Sequence, residues 1–340
     1  MDERILAAVE GDEAYCVGGA IRDELLGRPV LDTDVACREP EAAAQRLGEL
    51  TKSAAFLLSE RHSAWRVAFR DGRTIDFTLL KGDIEADLGG RDFTVNAIAV
   101  PLPAGQPIDP FDGRGDLESH RLRAVYDRAF TDDPLRLLRA ARLEDELELR
   151  IDPATEELIR RDAYLVAEPA GERVLAELLR LSDAGWRRLD DLGLLAGLGG
   201  STARLGVVEP GASAELRLVA ALGDAVFALP LSNELRRFAR KLLAARRPTG
   251  DSPRTIHRFR RTTEPWALDA LALVDARGLA PAVERARAAE PAEPLLHGDE
   301  LGVESGPEIG RLLERIAEER AAGTISTREE ALELVRRERE

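Results

Sequence analysis

The spacing of apolar positions divides the chain in two. Through about residue 125 it follows strand periods. Tyr15-Cys16-Val17 reads as a short buried strand, Ala20 to Leu26 as a helix, and Gly27-Arg28-Pro29 as its stop. Val30-Leu31 and Val35-Ala36 flank Asp32-Thr33-Asp34 and predict a second short strand around it. Trp65-Arg66-Val67-Ala68-Phe69 alternates at period two, Asp71-Gly72 marks a hairpin turn, and Thr74-Ile75-Asp76-Phe77 answers it. That hairpin is expected to carry Asp76 across the sheet toward Asp32 and Asp34 as a third carboxylate.

After residue 130 the period becomes helical. Asp133-Pro134 is a helix start, a capping side chain followed by proline at the first helical position. Leu135, Leu137 and Leu138 give that helix its buried face, while Arg136, Arg139 and Arg142 step at three-residue intervals into a slanting stripe. Pro153, Gly171, the cluster Gly197, Gly199 and Gly200, and Pro253 punctuate later helices. Pro307 opens a helix with Ile309, Leu312, Leu313 and Ile316 on one face, and Thr327 with Glu330 makes a capping box for the last one.

Composition narrows the picture. A chain of 340 residues with 44% hydrophobic and 33% charged residues has room for more than one packed unit. No stretch approaches the ~18 apolar residues of a membrane span, and no signal peptide opens the chain. The two cysteines, Cys16 and Cys37, lack metal-ligand spacing and suit a reducing cytoplasm, the expected location. The four histidines are scattered and form no His-Asp dipeptide, which argues against a histidine-based metallohydrolase. A net charge of −15 runs against a general nucleic-acid binder, yet Glu234 to Glu264 holds ten basic residues against three acids. Arg236, Arg237, Arg240, Lys241, Arg246 and Arg247 lie there as candidate phosphate-backbone contacts, or as a solvated helix face.

The chemistry concentrates near the start. Asp32 and Asp34, two positions apart on a strand, point to one face and can hold a divalent cation between them. Gly18-Gly19 lets backbone approach a phosphate closely, and Arg22 can pair with it. Each motif alone is common in turns and surface loops. In the order strand, glycine turn, helix, carboxylate strand they describe a place to hold a metal-bound nucleoside triphosphate.

These residues resemble the class II tRNA nucleotidyltransferases and the bacterial poly(A) polymerases related to them. The match runs through Val17-Gly18-Gly19-Ala20-Ile21-Arg22-Asp23, Asp32-Thr33-Asp34, Asp87-Leu88 with Arg91-Asp92-Phe93-Thr94-Val95-Asn96-Ala97, Asp133 to Arg142, and Gly171-Glu172-Arg173-Val174. Gly306-Pro307 and the run from Gly323 to Glu330 are similar to the family's C-terminal end. The resemblance implies an α+β chain: a polymerase-β-like head, a mixed sheet with helices, followed by all-α neck, body and tail. The expected limits are 1–125 for the head, 126–195 for the neck, 196–290 for the body and 291–340 for the tail.

By the same resemblance Asp32 and Asp34 bind two Mg²⁺ ions with Asp76 as a further catalytic carboxylate. Gly18, Gly19, Arg22, Asp23, Arg91, Asp92 and Asn96 serve the nucleotide, with Gly19, Arg22 and Arg91 cradling its triphosphate. Asp133 and Arg136 read the base, supported by Arg139 and Arg142. A carboxylate accepts from an exocyclic amino group and a guanidinium donates to a neighbouring ring nitrogen, so this pair accepts C and A and rejects U and G without a template.

Gly90 stands where the family usually has a second arginine, and Asp132 where a glutamate is common. Only fourteen residues, Phe77 to Gly90, separate Asp76 from Arg91, where full CCA-adding members carry a longer flexible loop. The implied activity is template-independent transfer of CMP from CTP to the 3′ end of tRNA. Whether AMP from ATP follows, completing CCA, is left open here. The alternatives are a poly(A) polymerase acting on general RNA, or a silent RNA- or nucleotide-binding protein on the same fold. No membrane and no obligate protein partner is implied.

Overall fold

A computed structural model describes every residue except Met1, Leu31, Arg61, His62, Glu304, Ser305 and Glu340. It divides into two compact units, Met1–Leu198 and Gly199–Glu340. The first holds a six-stranded mixed sheet in the order β3-β4-β5-β2-β1-β6. The strands are β1 (Ala14–Val17), β2 (Asp32–Cys37), β3 (Ala54–Ser59), β4 (Ala64–Ala68), β5 (Thr74–Leu79) and β6 (Ala99–Pro101). All neighbours run antiparallel except β2 and β5, which are parallel.

The helix Gly19–Leu25 follows β1 at the glycine pair, and the hairpin β4–β5 turns at Asp71-Gly72, where Gly72 takes φ +88°. β2 begins at Asp32, so Val30 precedes the strand and Leu31 lies outside the described residues. β3 was not legible as a strand: Ala54-Ala55-Phe56-Leu57-Leu58-Ser59 is an apolar run without alternation, placed at the sheet edge with Phe56, Leu57 and Leu58 all exposed.

Period-two alternation sorts side chains onto two faces. One face carries Val35, Val67, Ile75 and Phe77 against Ala43, Ala44 and Leu47 of the helix Pro40–Thr51. The other carries Val17, Ala36 and Ala99 beneath Leu80, Ile84 and Leu88, the last two on the helix Ile84–Gly89. Cys16 and Cys37 are free and buried, and burial pushes both thiols up to about 12, which leaves neither as a thiolate at neutral pH.

Beyond the sheet the first unit is helical. The helix Leu135–Glu146 starts one residue after Pro134, and the Asp133 carboxylate accepts from the Leu135 N–H at 3.2 Å. It buries Leu135, Leu137, Leu138 and also Arg142. The second unit contains the helices Asn233–Ala244, Pro253–Thr263, Pro307–Ala321 and Arg328–Arg339. The last is capped as the sequence indicates: Thr327 Oγ1 accepts from the Glu330 N–H at 3.2 Å, and Glu330 accepts from the Thr327 N–H at 3.0 Å. Among the described residues no helix is long and apolar enough to cross a membrane.

Candidate active site

Strand register builds the carboxylate centre. Asp34 of β2 pairs directly with Val17 of β1 on one side and Asp76 of β5 on the other. Asp32, two residues back on the same face, is exposed and accepts from Thr74 Oγ1 at 2.7 Å. Burial pushes Asp34 above the usual carboxylate range; Arg91 and Arg139 oppose the rise, while Asp76 and Asp32 add to it. No hydrogen bond to the Asp34 carboxylate is present among the described residues, so its lone pairs are available.

Asp76 is brought to this centre, as the hairpin implies, but it is already engaged. Arg66 of β4 grips it with two donors, Nε and Nη2, each at 2.7 Å. Arg66 was missed in the sequence because its partner lies ten residues away across a turn, and register alone joins them. Among the described residues no group of three or more Asp, Glu, His or Cys side chains is arranged around one cation. With Asp76 engaged by Arg66, Asp32 and Asp34 offer hard oxygens, a donor set that fits Mg²⁺, which commonly takes one or two carboxylates and completes its shell with substrate phosphate and water.

The glycine turn is required sterically. Gly18 takes φ +76°, and a Cβ there would stand 2.8 Å from Arg91 Nη1 and 3.4 Å from Asp34 Oδ2. Gly19 begins the helix Gly19–Leu25, and its Cβ position lies 3.4 Å from Arg22 Nη2. Arg22 itself is buried and occupied: Nη1 donates to Asn96 Oδ1 at 2.6 Å, and Nε and Nη2 donate to Asp23. Asn96 in turn donates to the buried Asp92 at 3.0 Å, and Arg139 stands 2.9 Å from the second oxygen of Asp92. Burial raises Asp92, but Arg139, Asn96 and the Phe93 N–H outweigh it and hold the carboxyl below its ordinary value. Arg22, Asn96, Asp92 and Arg139 thus form one continuous brace.

Two donors in this region lack an aligned acceptor. Arg91 places Nη2 3.2 Å from Asp87 and Nη1 3.5 Å from the Asn96 carbonyl, while its Nε is buried and unbonded. Arg139 Nε is close enough to Asp92 for an ion pair, but not aligned for a hydrogen bond. Buried unpaired donors are costly, and an anionic ligand would satisfy them.

Arg91, Asp92, Asp133, Arg136 and Arg139 line one cavity of about 310 Å³, together with Lys81 and Asp87. Arg136 is held by three peptide oxygens and a phenol: Nη2 donates to Gly90 O at 2.7 Å, and Nη1 to Tyr126 Oη at 3.0 Å, Ala129 O at 3.3 Å and Arg91 O at 3.4 Å. Asp133 and Arg136 meet only through the backbone, where the Arg136 N–H donates to the Asp133 carbonyl at 3.1 Å; among the described residues their side chains share no hydrogen bond or ion pair. Asp133 Oδ2 pairs with Arg173 Nη2 at 3.0 Å, and Asp133 also lines a second cavity of about 360 Å³ bounded by Glu168 and Arg173. Arg142 lies outside the first cavity, buried between Glu146 and Glu177.

The basic stretch of the second unit separates into two sets. Arg254, Arg258 and Arg261 pair with Glu319, Glu318 and Glu314 of the helix Pro307–Ala321. Lys241 donates to the Glu264 carbonyl, and Arg247 approaches Asp275 only to 3.8 Å. Arg236, Arg237, Arg240 and Arg246 make no ion pair among the described residues.

Comparison with known proteins agrees with this geometry. A family model described as the poly A polymerase head domain matches residues 14–83 and 61–123. The CC-adding tRNA nucleotidyltransferase of Geobacter sulfurreducens is 40% identical over 185 residues, which is 52% of this chain and 42% of that protein. The A-adding tRNA nucleotidyltransferase of Deinococcus radiodurans is 34% identical in an alignment that covers 95% of each chain. Among solved structures, the Bacillus stearothermophilus CCA-adding enzyme in complex with CTP superposes with TM-score 0.74 at 25% identity, over 99% of this chain and 97% of that one. The Thermotoga maritima CCA-adding enzyme complexed with tRNA shares the fold, with TM-score 0.71 at 23% identity over 99% and 94%. With a relative one-third identical along nearly its whole length, the chain belongs to the tRNA nucleotidyltransferases.

Proposed function

We propose that the chain transfers CMP from CTP to the 3′ end of tRNA and stops at CC. The observation that carries the stopping point is the connection from β5 to the helix Ile84–Gly89, only residues 80–83. Where a long loop could remodel the pocket for a second nucleotide, this chain has a four-residue link and then a helix capped by Asp83, whose carboxylate accepts from the Ala86 N–H at 2.8 Å. A fixed wall supports a fixed preference.

Asp133 accepts from the amino group of cytosine, and Arg136 donates to the adjacent ring nitrogen and O2. Arg91 and Arg139, with unaligned Nε donors, favour the triphosphate, while Arg22 acts as a brace through Asn96 and Asp23. Gly18 keeps the approach to Asp34 free of a side chain, and Gly19 keeps the space beside the Arg22 guanidinium clear. Asp32 and Asp34 would hold Mg²⁺, which when bound lowers the pKa of the RNA 3′-hydroxyl and neutralises charge on the triphosphate and leaving pyrophosphate. The division into head 1–125, neck 126–195, body 196–290 and tail 291–340 is carried as part of this reading.

A second reading, addition of the terminal A, is favoured by the name of the relative that matches along the whole chain. One experiment separates them. Two tRNA transcripts, one ending at the discriminator base and one ending in CC, are incubated with Mg²⁺ and CTP, ATP or both. Extension of the first to CC, with the second unchanged by ATP, is the expected result. A single A on the CC-ended transcript only would establish A addition. Full CCA would show that the short link does not fix the preference, and a long A ladder would indicate poly(A) synthesis.

A further inference from the structure

The face of the sheet that holds Asp34 is covered at one end and open at the other. At the β2–β1–β6 end Val17, Ala36 and Ala99 lie in an apolar cluster with Leu80, Ile84 and Leu88. At the β5–β4–β3 end the helix Pro40–Thr51 packs on the opposite face, against Val67, Ile75 and Phe77. Register then lays one row of side chains across the open end. Asp34 pairs with Asp76, Asp76 with Arg66, and Arg66 with Phe56. Directly paired residues share a face, and strands lie about 4.8 Å apart, which places Phe56 roughly 10 Å from Asp76 in the same row.

The chemistry of this row is specific. Phe56 is 44% exposed, whereas Phe77, Phe93 and Phe130 are fully buried. Arg66 bonds Asp76 through Nε and Nη2, which leaves Nη1 for another acceptor. An exposed aromatic ring, a cation with donors to spare and a carboxylate centre in sequence match a single-stranded nucleic-acid end: base, phosphate and reacting hydroxyl.

We infer that Phe56 and Arg66 form the seat of the unpaired 3′ end of the acceptor RNA. Phe56 stacks on a terminal base, Arg66 Nη1 donates to a phosphate oxygen, and the 3′-hydroxyl is left beside Asp34 and Asp76. The inference rests on the proposed nucleotidyl transfer to RNA but assigns residues to the RNA rather than to the nucleotide. An exposed apolar edge strand is also a pairing surface for a second copy of the chain, so the test includes that outcome.

The test is fluorescence anisotropy on the full chain, without nucleotide or Mg²⁺, using two labelled acceptor minihelices. One ends in unpaired CC; the other is the same helix with a blunt end. Phe56→Ala should weaken binding of the CC-ended helix about tenfold and leave the blunt one unchanged, while Phe56→Trp retains binding. Arg66→Gln should lower the salt slope for the CC-ended helix by about one. Leu57→Ala, on the opposite face of the same strand, is the control and should leave both unchanged. Equal losses for Phe56→Ala and Leu57→Ala, no loss for Phe56→Ala, or a changed oligomeric state with unchanged RNA affinity would each overturn the seat. A wild-type chain that binds unpaired ends through Phe56 yet fails to extend them would overturn the proposed function and leave the seat standing.

Discussion

Arg136 of the first unit and the arginines of one helix of the second are held in opposite ways. In the first, Arg136 is surrounded by three peptide carbonyls and a phenol, none of which carries a charge. In the second, Arg254, Arg258 and Arg261 of the helix Pro253–Thr263 each meet a glutamate of Pro307–Ala321. Neutral acceptors position a guanidinium and leave its positive field intact; a carboxylate cancels it at any distance beyond a few ångströms. Counting basic residues along the sequence therefore overstates the helix Pro253–Thr263 as an anion surface and understates Arg136. Arg236, Arg237, Arg240 and Arg246 make no ion pair among the described residues, and Lys241 donates only to a neutral carbonyl.

The comparison can be broken at several points. The largest effect is expected at the carboxylates that the arginines serve. Asp32→Ala or Asp34→Ala should lower CMP incorporation on the order of a thousandfold while leaving the far-ultraviolet circular dichroism unchanged. Retained addition would dissociate the chemistry from this strand. Next, Arg136→Ala should reduce kcat/KM for CTP roughly tenfold to a hundredfold, since it removes charged hydrogen bonds to the base. Arg173→Gln should instead lower the preference for CTP over UTP, because it frees Asp133 from the partner that orients it. A pure fall in stability with unchanged preference would deny Arg173 that part.

In the second unit, charge reversal at Arg236, Arg240 and Arg247 should weaken tRNA binding and flatten its salt dependence, by about one unit of slope for each phosphate no longer neutralised. An unchanged slope removes this stretch from the interface. The smallest effect sharpens the contrast: Arg258→Ala with Arg261→Ala should leave tRNA affinity within about twofold, because exposed and already neutralised charges contribute little. A loss as large as that of the triple reversal would show that pairing with glutamate does not silence a guanidinium here.

What could be read from the residues was the local part. Asp32 and Asp34 declare a strand face by their spacing, Asp71-Gly72 declares a hairpin, and Thr327 with Glu330 declares a helix start; the structure contains all three. These signals are carried by residues within a few positions of one another. The partners of the site residues were not legible, because each lies far away in sequence. Arg66 reaches Asp76 only through antiparallel register, Arg22 reaches Asn96 across 74 positions, and Arg173 reaches Asp133 across 40. β3 escaped for a different reason. A strand at the sheet edge is not forced to alternate, and its run of apolar residues could equally have belonged to a buried helix.

The grip on Arg136 bears on how such an enzyme can change. Its acceptors at 90, 91 and 129 are peptide carbonyls, and every residue type supplies one. Gly90 serves through its carbonyl, so the absence of a side chain there removes no acceptor from the pocket. Substitution at these positions is buffered, whereas an added or deleted residue between β5 and Arg91 would shift the carbonyls themselves. Under the proposed function, nucleotide preference at this pocket is thus more readily altered by changes in chain length than by changes in residue identity.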